Sequence, residues 1–325
     1  MASVSHSRRA MTRGKLIIGG FILSLFLGAN AARAQDVTPP VAAFKSSIDM
    51  VRVAAVVRDS KGRFVQDLTA RDFEVLDGGK TRPISDLQSD LTGVSIAVLF
   101  DVSGSMEGHL PNAREAALHV LSWLDTTRDE AAVYTFDTHL DERTPFTTGL
   151  RTLPDSMTTV VPFGATSLHD AIALTARRVG EREGRRRAVI VFTDGADNYS
   201  RLKPADVSAI ASAIDVPVYI FGIVPSIDNP SAENSTHSVE SMAFAGPLAD
   251  LAAWTGGHVV VASTPGQRSI AAREIIEELR HQYLIAFESS GKPGWHPLVV
   301  RARKKDLIVR ARSGYIAGQS RPTAH

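Results

Sequence analysis

The chain of 325 residues contains no cysteine. This absence excludes a disulfide framework, a thiolate metal site, a catalytic thiol and a lipid-anchored cysteine. Two common catalytic patterns are also missing, because no His-Glu-x-x-His sequence occurs and no glycine-rich loop carries a phosphate-binding lysine. The function of the chain must therefore depend on oxygen and nitrogen side chains outside these patterns.

Aromatic residues are scarce, at 6% of the chain, and none is interleaved with the arginine-rich segments. One such segment is the run 185–187, which leads into a strand. In the other, four arginines alternate with apolar residues: Arg301, Arg303, Arg310 and Arg312. Without stacking residues between them, we interpret both groups as solvent-exposed faces and expect no nucleic-acid partner.

The N-terminal segment combines four basic residues up to Lys15, an apolar stretch at 16–29 and the small-residue sequence Ala32-Arg33-Ala34. This order is typical of a secretory signal peptide. We therefore predict a signal peptide at residues 1–34 and a protein exported to the periplasm, cell envelope or extracellular space. Loss of these residues would change the formal charge from +1 to −4, so the basic balance belongs mostly to the targeting segment. Cleavage would leave no membrane insertion; an uncleaved anchor is the alternative.

The pattern of apolar residues divides the rest of the chain into three parts. Residues 35–92 and 283–325 show the period of two that is typical of strands. Residues 93–282 alternate strands with helices, and strands such as "AVIVF" are apolar on both faces. The fold class predicted is α/β, a doubly wound and mostly parallel sheet inserted in a small β domain. Its N- and C-terminal strands pair, and "PLVVRA" matches "LIVRA" across a turn at 304–306.

Three stretches of the α/β part carry oxygen side chains. "VSIAVLFDVSGSM" ends a strand on Asp101 and continues with Ser103 and Ser105. "PFGATSLHDAI" places Thr166 before a helix, and "AVIVFTDGADN" ends another strand on Asp194. Because ligands of doubly wound sheets sit beyond the carboxyl ends of the strands, we expect these five residues to converge there. We expect the nearby Asp170 to support the first turn of its own helix, and Asp197 to shape its own loop.

The three stretches resemble the metal-ion-dependent adhesion site of von Willebrand factor type A domains. The resemblance covers about residues 93–282 and implies that Asp101, Ser103, Ser105, Thr166 and Asp194 hold Mg²⁺ or Mn²⁺. It further implies a non-enzymatic adhesion module whose ion binds an Asp or Glu carboxylate of a partner protein. The flanking "VRVAAVVRDSKGRFVQDLTARDFEVLDGGK" and the terminal "VRARSGYIA" resemble exported, von Willebrand A-related proteins of acidobacteria, whose function is largely undefined.

Two other functions remain open from the sequence. "VLFDVSGSM" also resembles the nucleophile loop of haloacid-dehalogenase-like phosphohydrolases, and "TDGADN" resembles their acidic metal loop. Those enzymes need a second aspartate as general acid, where this chain has Ser103, which does not titrate near neutral pH. A structural envelope module with a vestigial site is the other alternative. The polar segment 225–246 is either a loop that selects the partner or a mobile insertion.

The signal peptide makes a direct prediction about the mature chain. Because Ala34 completes the small-residue sequence, we expect the exported protein to begin at Gln35. N-terminal sequencing of protein recovered from its native host checks this. A mature chain that retains residues 16–29 would instead establish the membrane anchor.

Overall fold

A computed structural model describes residues 50–89, 93–182, 184–213, 215–224, 244 and 246–317. The signal peptide predicted at 1–34 and nearly all of the loop 225–246 lie outside these residues. The boundaries predicted at 34, 92 and 282 stay predictions. No helix in the described ranges is long and apolar enough to cross a membrane.

The described residues form fourteen strands and five α-helices. In chain order the elements are β1 Met50–Asp59, β2 Phe73–Asp77, β3 Lys80–Arg82, β4 Ile84–Gln88, β5 Val94–Asp101, α1 Leu110–Ser122, β6 Glu130–Phe136, β7 Leu140–Thr148, α2 Leu168–Gly180, β8 Arg186–Thr193, α3 Pro204–Ala213, β9 Val218–Ile223, α4 Pro247–Thr255, β10 Val259–Ala262, α5 Pro265–Arg280, β11 Tyr283–Glu288, β12 Gly294–Ala302, β13 Leu307–Ala311 and β14 Gly314–Ala317.

The central sheet has six strands in the order β10-β9-β8-β5-β6-β7. All neighbours pair in parallel except β6 and β7, which are antiparallel. Helices α1 and α5 cover one face and α2, α3 and α4 the other. Every residue of β5 is buried, with Phe100 directed to the first face and Leu99 to the second. This arrangement confirms the predicted doubly wound α/β fold, because a strand covered on both faces must be apolar on both.

Two antiparallel sheets outside the α/β part form a sandwich, in the orders β13-β1-β11-β4 and β14-β12-β2-β3. Strand β1 pairs with β11 and β13, and β2 pairs with β12. The N-terminal strands therefore join the C-terminal ones, as the sequence predicts. Their inner faces share one apolar core, which includes Val53, Val75, Ile285, Phe287 and Leu298.

The sequence predicts that the strands on either side of the turn at 304–306 match each other. This prediction is wrong if it is taken as a strand pairing. Strand β12 pairs with β2 and β14, whereas β13 pairs with β1 in the other sheet. Leu298 and Val300 of β12 face the same core as Leu307 and Val309 of β13. An alternating pattern fixes which residues share a face, and both a hairpin and two opposed sheets satisfy it.

The prediction that all the arginines are solvent-exposed is also wrong for five of the seven, of which Arg185 and Arg187 are partly buried. Arg301 and Arg303 are exposed, but Arg312 retains 4% of its side-chain exposure and Arg186 is buried. Arg310 is partly buried and contacts Glu278. Arg310 of β13 contacts α5, and Arg312, which follows β13, lies 3.7 Å from Asp215. Burial lowers the pKa of the Arg312 guanidinium despite the charge of Asp215.

Glu278 of α5 is the centre of a charged cluster between the sandwich and the α/β part. It is fully buried. Tyr219 donates its hydroxyl to Oε1 at 2.7 Å, Arg58 of β1 lies 3.4 Å from Oε2, and Arg310 of β13 forms a second ion pair. Burial raises the pKa of Tyr219 to about 12, so this hydroxyl remains a donor at neutral pH. A buried carboxylate is tolerated when it is paired in this way.

Removing one partner of this cluster tests its contribution to stability. We expect Arg310→Met to lower the free energy of unfolding by about 3 kcal/mol, because Glu278 loses a cation while it stays buried. Arg301→Met is the matched control, since its 2.8 Å pair with Glu74 is exposed and should contribute far less to stability than the buried pair. Urea denaturation measures both. Equal losses in the two variants would contradict the role given to Glu278.

Candidate functional site

The candidate site lies at the carboxyl ends of β5 and β8, which are neighbours in the sheet. Asp101 is the last residue of β5, and Asp194 directly follows β8. Phe100 pairs with Phe192, so the two strands end at nearly the same level. The fold therefore brings the two aspartates to adjacent positions, as parallel pairing of β5 and β8 requires.

Backbone hydrogen bonds join the loop of Thr166 to both strand ends. The amide of Gly104 donates to the carbonyl of Gly164 at 3.0 Å, and that of Phe163 donates to Val102 at 2.9 Å. On the other side, the amides of Asn198 and Tyr199 donate to the carbonyl of Thr166 at 3.1 and 2.9 Å. The three separate stretches thus form one connected set of loops.

Asp101 is completely buried, and both of its oxygens accept hydrogen bonds. Oδ1 accepts from the amide of Ser103 at 2.9 Å and from its hydroxyl at 2.6 Å, while Oδ2 accepts from Thr193 at 2.7 Å. The hydroxyls of Ser103 and Ser105 lie 3.2 Å apart. Asp101, Ser103 and Ser105 therefore form a continuous row of oxygens.

The environment of Asp101 changes its acidity. Burial raises the pKa of its carboxyl to about 6, and the nearby charge of Asp194 adds a smaller rise. The hydrogen bonds from Ser103 and Thr193 act in the opposite direction, since they stabilise the carboxylate. A buried acid that stays partly protonated near pH 6 is poised to lose its proton when a cation approaches.

The remaining predicted residues provide oxygens that are still available. Thr166 is buried, Asp194 is partly exposed and Ser105 is exposed. Asp194 Oδ1 accepts from the amide of Ala196 at 3.0 Å. Within the described ranges, neither Asp194 Oδ2 nor the Thr166 hydroxyl takes part in a hydrogen bond. The site is thus closed around Asp101 and open to solvent near Ser105 and Asp194.

This set of side chains suits a hard cation. Two carboxylates and three hydroxyls supply only oxygen atoms, the ligands that Mg²⁺ and Mn²⁺ prefer. In the part of the chain that the structure describes, no group of three or more His, Asp or Glu side chains could hold a metal ion. A cation at this edge would therefore depend on hydroxyl oxygens as well as carboxylates.

A clamp between the start of α2 and the loop after β8 was not predicted from the sequence. The Asn198 side chain accepts from the amide of Thr166 at 2.8 Å, and Asp197 accepts from that of Leu168 at 3.0 Å. Asp197 also pairs with His169. Asp197 therefore caps α2 instead of shaping only its own loop, which corrects the prediction for this residue.

Asp170 of α2 makes the reverse contact, because it binds backbone amides of the loop after β8. Its carboxylate accepts from the amides of Arg201 and Leu202 at distances of 2.9 to 3.2 Å, and its own amide donates to Ser200 at 3.2 Å. Asp170 lies in the first turn of α2, as predicted, and its carboxylate binds the loop after β8 in addition. The sequence signal for these contacts is the set of short polar residues in "TDGADNYS", a composition typical of loops that bond to backbone amides.

The fold and the site define a class of protein: an α/β domain with an oxygen-lined site at the switch point of its sheet. Residues 96–196 match the family model of the von Willebrand factor type A domain. The match runs from β5 to the loop after β8, so this segment of the α/β part is similar to a von Willebrand factor type A domain. The resemblance of the flanking strands to acidobacterial proteins stays a prediction.

Solved structures show similar folds at low identity. A von Willebrand factor type A protein from Catenulispora acidiphila is 14% identical, with 84% of this chain and 76% of that chain covered and a TM-score of 0.45. BatB from Bacteroides thetaiotaomicron is 18% identical, with 57% and 98% covered and a TM-score of 0.43. Proximal thread matrix protein 1 from the mussel byssus, with a zinc-occupied MIDAS motif, is 20% identical, with 63% and 50% covered and a TM-score of 0.43. These identities and TM-scores are too low to transfer any property of those proteins to this chain. No curated protein matches the chain.

The raised pKa of Asp101 predicts how stability depends on pH in the absence of divalent ions. The native carboxyl binds its proton more tightly than an unfolded aspartate, so it reduces stability as pH rises from about 4 through about 6. We expect Asp101→Asn to be more stable than the wild type at pH 7.5, by at most about 3 kcal/mol at 1.36 kcal/mol per pKa unit.

At pH 4 the two proteins should unfold at nearly the same temperature, because the native carboxyl is then protonated. Thermal unfolding in EDTA at both pH values measures the difference. A constant difference between the two proteins across this range would show that Asp101 titrates normally.

Proposed function

We propose that this protein is an exported, non-catalytic binding module that uses a divalent ion to recognise a partner protein. Asp101, Ser103, Ser105, Thr166 and Asp194 would hold Mg²⁺ or Mn²⁺. A position left open at the exposed side would accept an Asp or Glu carboxylate of the partner. The observation that supports this proposal is the row of oxygens on Asp101, Ser103 and Ser105 at the carboxyl end of β5, next to the end of β8 and bonded through the backbone to the loop of Thr166.

The charges of these residues favour an external carboxylate. Three of the five side chains are neutral hydroxyls, and the charge of Asp101 is shared among three hydrogen-bond donors from Ser103 and Thr193. A divalent ion held by such a set keeps much of its charge and attracts a further anion. The exposed sides of Ser105 and Asp194 are where that anion can approach.

The surrounding hydrogen bonds would hold the oxygens in place before an ion binds. Thr193 and Ser103 fix both oxygens of Asp101, and the clamp at Asn198 and Asp197 fixes the backbone on either side of Thr166. Partners of this kind usually orient ligands and influence metal affinity. Because Asp101 must lose its proton to bind a cation, affinity should also decline below about pH 6.

The phosphohydrolase alternative fits these contacts poorly. A nucleophilic aspartate must reach its substrate, whereas Asp101 is fully buried with both oxygens hydrogen-bonded. Ser103, at the position of the general acid, donates its hydroxyl to Asp101, and a serine hydroxyl does not titrate near neutral pH. A phosphatase assay with a generic aryl phosphate and Mg²⁺ tests this alternative, and we expect no turnover.

The response of thermal stability to metal tests the proposed ion site and the vestigial alternative together. We expect Mg²⁺ or Mn²⁺ to stabilise the wild type by about 2.7 kcal/mol at a hundredfold excess over the dissociation constant. Asp101→Ala should lose most of this effect. It should remain folded without metal, because it removes a buried charge at the carboxyl end of β5.

Asp86→Ala is the matched control. It removes an exposed carboxylate from β4 in the sandwich and should respond to metal like the wild type. Differential scanning fluorimetry with each ion, and with EDTA, measures the metal-induced change in unfolding temperature of the wild type and of both variants. Equal shifts in all three proteins would place the ion elsewhere, and the absence of any shift would favour a vestigial site.

A further inference from the structure

Three large apolar side chains are exposed on the loops that form the candidate site. Val161 retains 79% of its exposure, Phe163 80% and Tyr199 59%. Single exposed apolar residues are common and need no explanation. Val161 and Phe163 lie on the loop of Thr166, and Tyr199 lies on the loop bonded to it; we call these three residues the apolar rim. Groups of exposed apolar residues mark interaction sites.

The backbone of the first loop keeps its side chains directed outward. Met157 is buried and Val160 packs against the core, so the chain is anchored just before Val161. The amide of Phe163 then donates to Val102 at 2.9 Å. Pro162 between the two exposed residues restricts the backbone further. The backbone of Phe163 is therefore bonded to the segment that directly follows β5.

The second loop holds Tyr199 in the same manner on the opposite side of Thr166. Its amide donates to the Thr166 carbonyl at 2.9 Å, next to the bond made by Asn198. Gly164, with a φ of +84°, turns the chain between Phe163 and Thr166. Phe163, three residues before Thr166, and Tyr199, bonded to its carbonyl, are thus both close along the backbone to one of the proposed metal ligands.

We propose that this rim, formed by Val161, Phe163 and Tyr199, selects protein partners whose Asp or Glu lies next to a large apolar side chain. The inference rests on the proposed function, since the carboxylate would bind the ion while the neighbouring side chain packs on the rim. A protein is favoured over an acidic polysaccharide because Val161 and Phe163 offer no hydrogen-bonding group to sugar hydroxyls. Burial of rigid aromatic rings also contributes strongly at interface centres.

The test uses the mature chain with Mn²⁺ and a phage-displayed library of random peptides. We expect the recovered peptides to carry an acidic residue adjacent to Leu, Ile, Phe or Trp. Synthetic versions of one such peptide, with the apolar residue kept or replaced by Ser, then give dissociation constants by fluorescence anisotropy. On the wild type, the Ser version should bind about tenfold more weakly, or worse, because the buried apolar area is lost.

The double variant Phe163→Ser/Tyr199→Ser distinguishes the rim from the ion site. It should bind the apolar peptide about tenfold more weakly and lose the preference over the Ser version, while its metal-induced stabilisation stays as in the wild type. Ile308→Ser is the control, because Ile308 is 66% exposed but lies on β13 of the sandwich. It should leave both peptide constants unchanged.

The possible negative results distinguish a failure of the proposed function from a failure of this inference alone. If metal does not stabilise the wild type, the proposed function fails together with this inference. If metal stabilises it but acidic peptides bind without regard to their neighbours, the rim has no selective role and only this inference fails. Tighter Mn²⁺-dependent binding of oligogalacturonate than of any recovered peptide would also overturn it, in favour of a saccharide partner.

Discussion

The burial of Asp101 between β6 and β8 is the constraint on which the candidate site depends. Strand β5 is covered on both faces and paired on both edges, so its last residue leaves the sheet in a fixed position. A carboxylate in that position is costly unless it is hydrogen-bonded. Ser103 and Thr193 supply those bonds, and in doing so they place two hydroxyls beside Asp101 and next to the end of β8.

Short polar side chains also connect the start of α2 with the loop after β8. Asp197 and Asn198 bind amides at the start of α2, and Asp170 of α2 binds amides of the loop that carries them. Each segment satisfies backbone groups of the other that a helix start or an open loop would leave without partners. The position of Thr166 is therefore set by neighbours on both sides, and the exposed Tyr199 is held by the same contacts.

Charged groups also join the sandwich to the helices of the α/β part. Glu278 of α5 contacts Arg58 and Arg310 from two sandwich strands. At the other end of α5, the buried Arg268 binds Glu115 of α1 at 2.6 Å, and α1 begins just after the turn of Ser103 and Ser105. The flanking strands thus contact α5, which in turn contacts α1, the helix that follows the site.

The sequence alone predicted the doubly wound core, a β domain of paired terminal strands and the five candidate oxygens, because apolar periodicity and the Asp-x-Ser-x-Ser order are properties of short segments. Only the tertiary structure decided which sheet each late strand joins, that Arg310 and Arg312 face the α/β part, and that Thr193 and Asn198 support the site. An alternating pattern shows which residues share a face but not what covers that face. Hydrogen bonds between distant loops leave no periodic signal, since their partners meet only after the chain has folded.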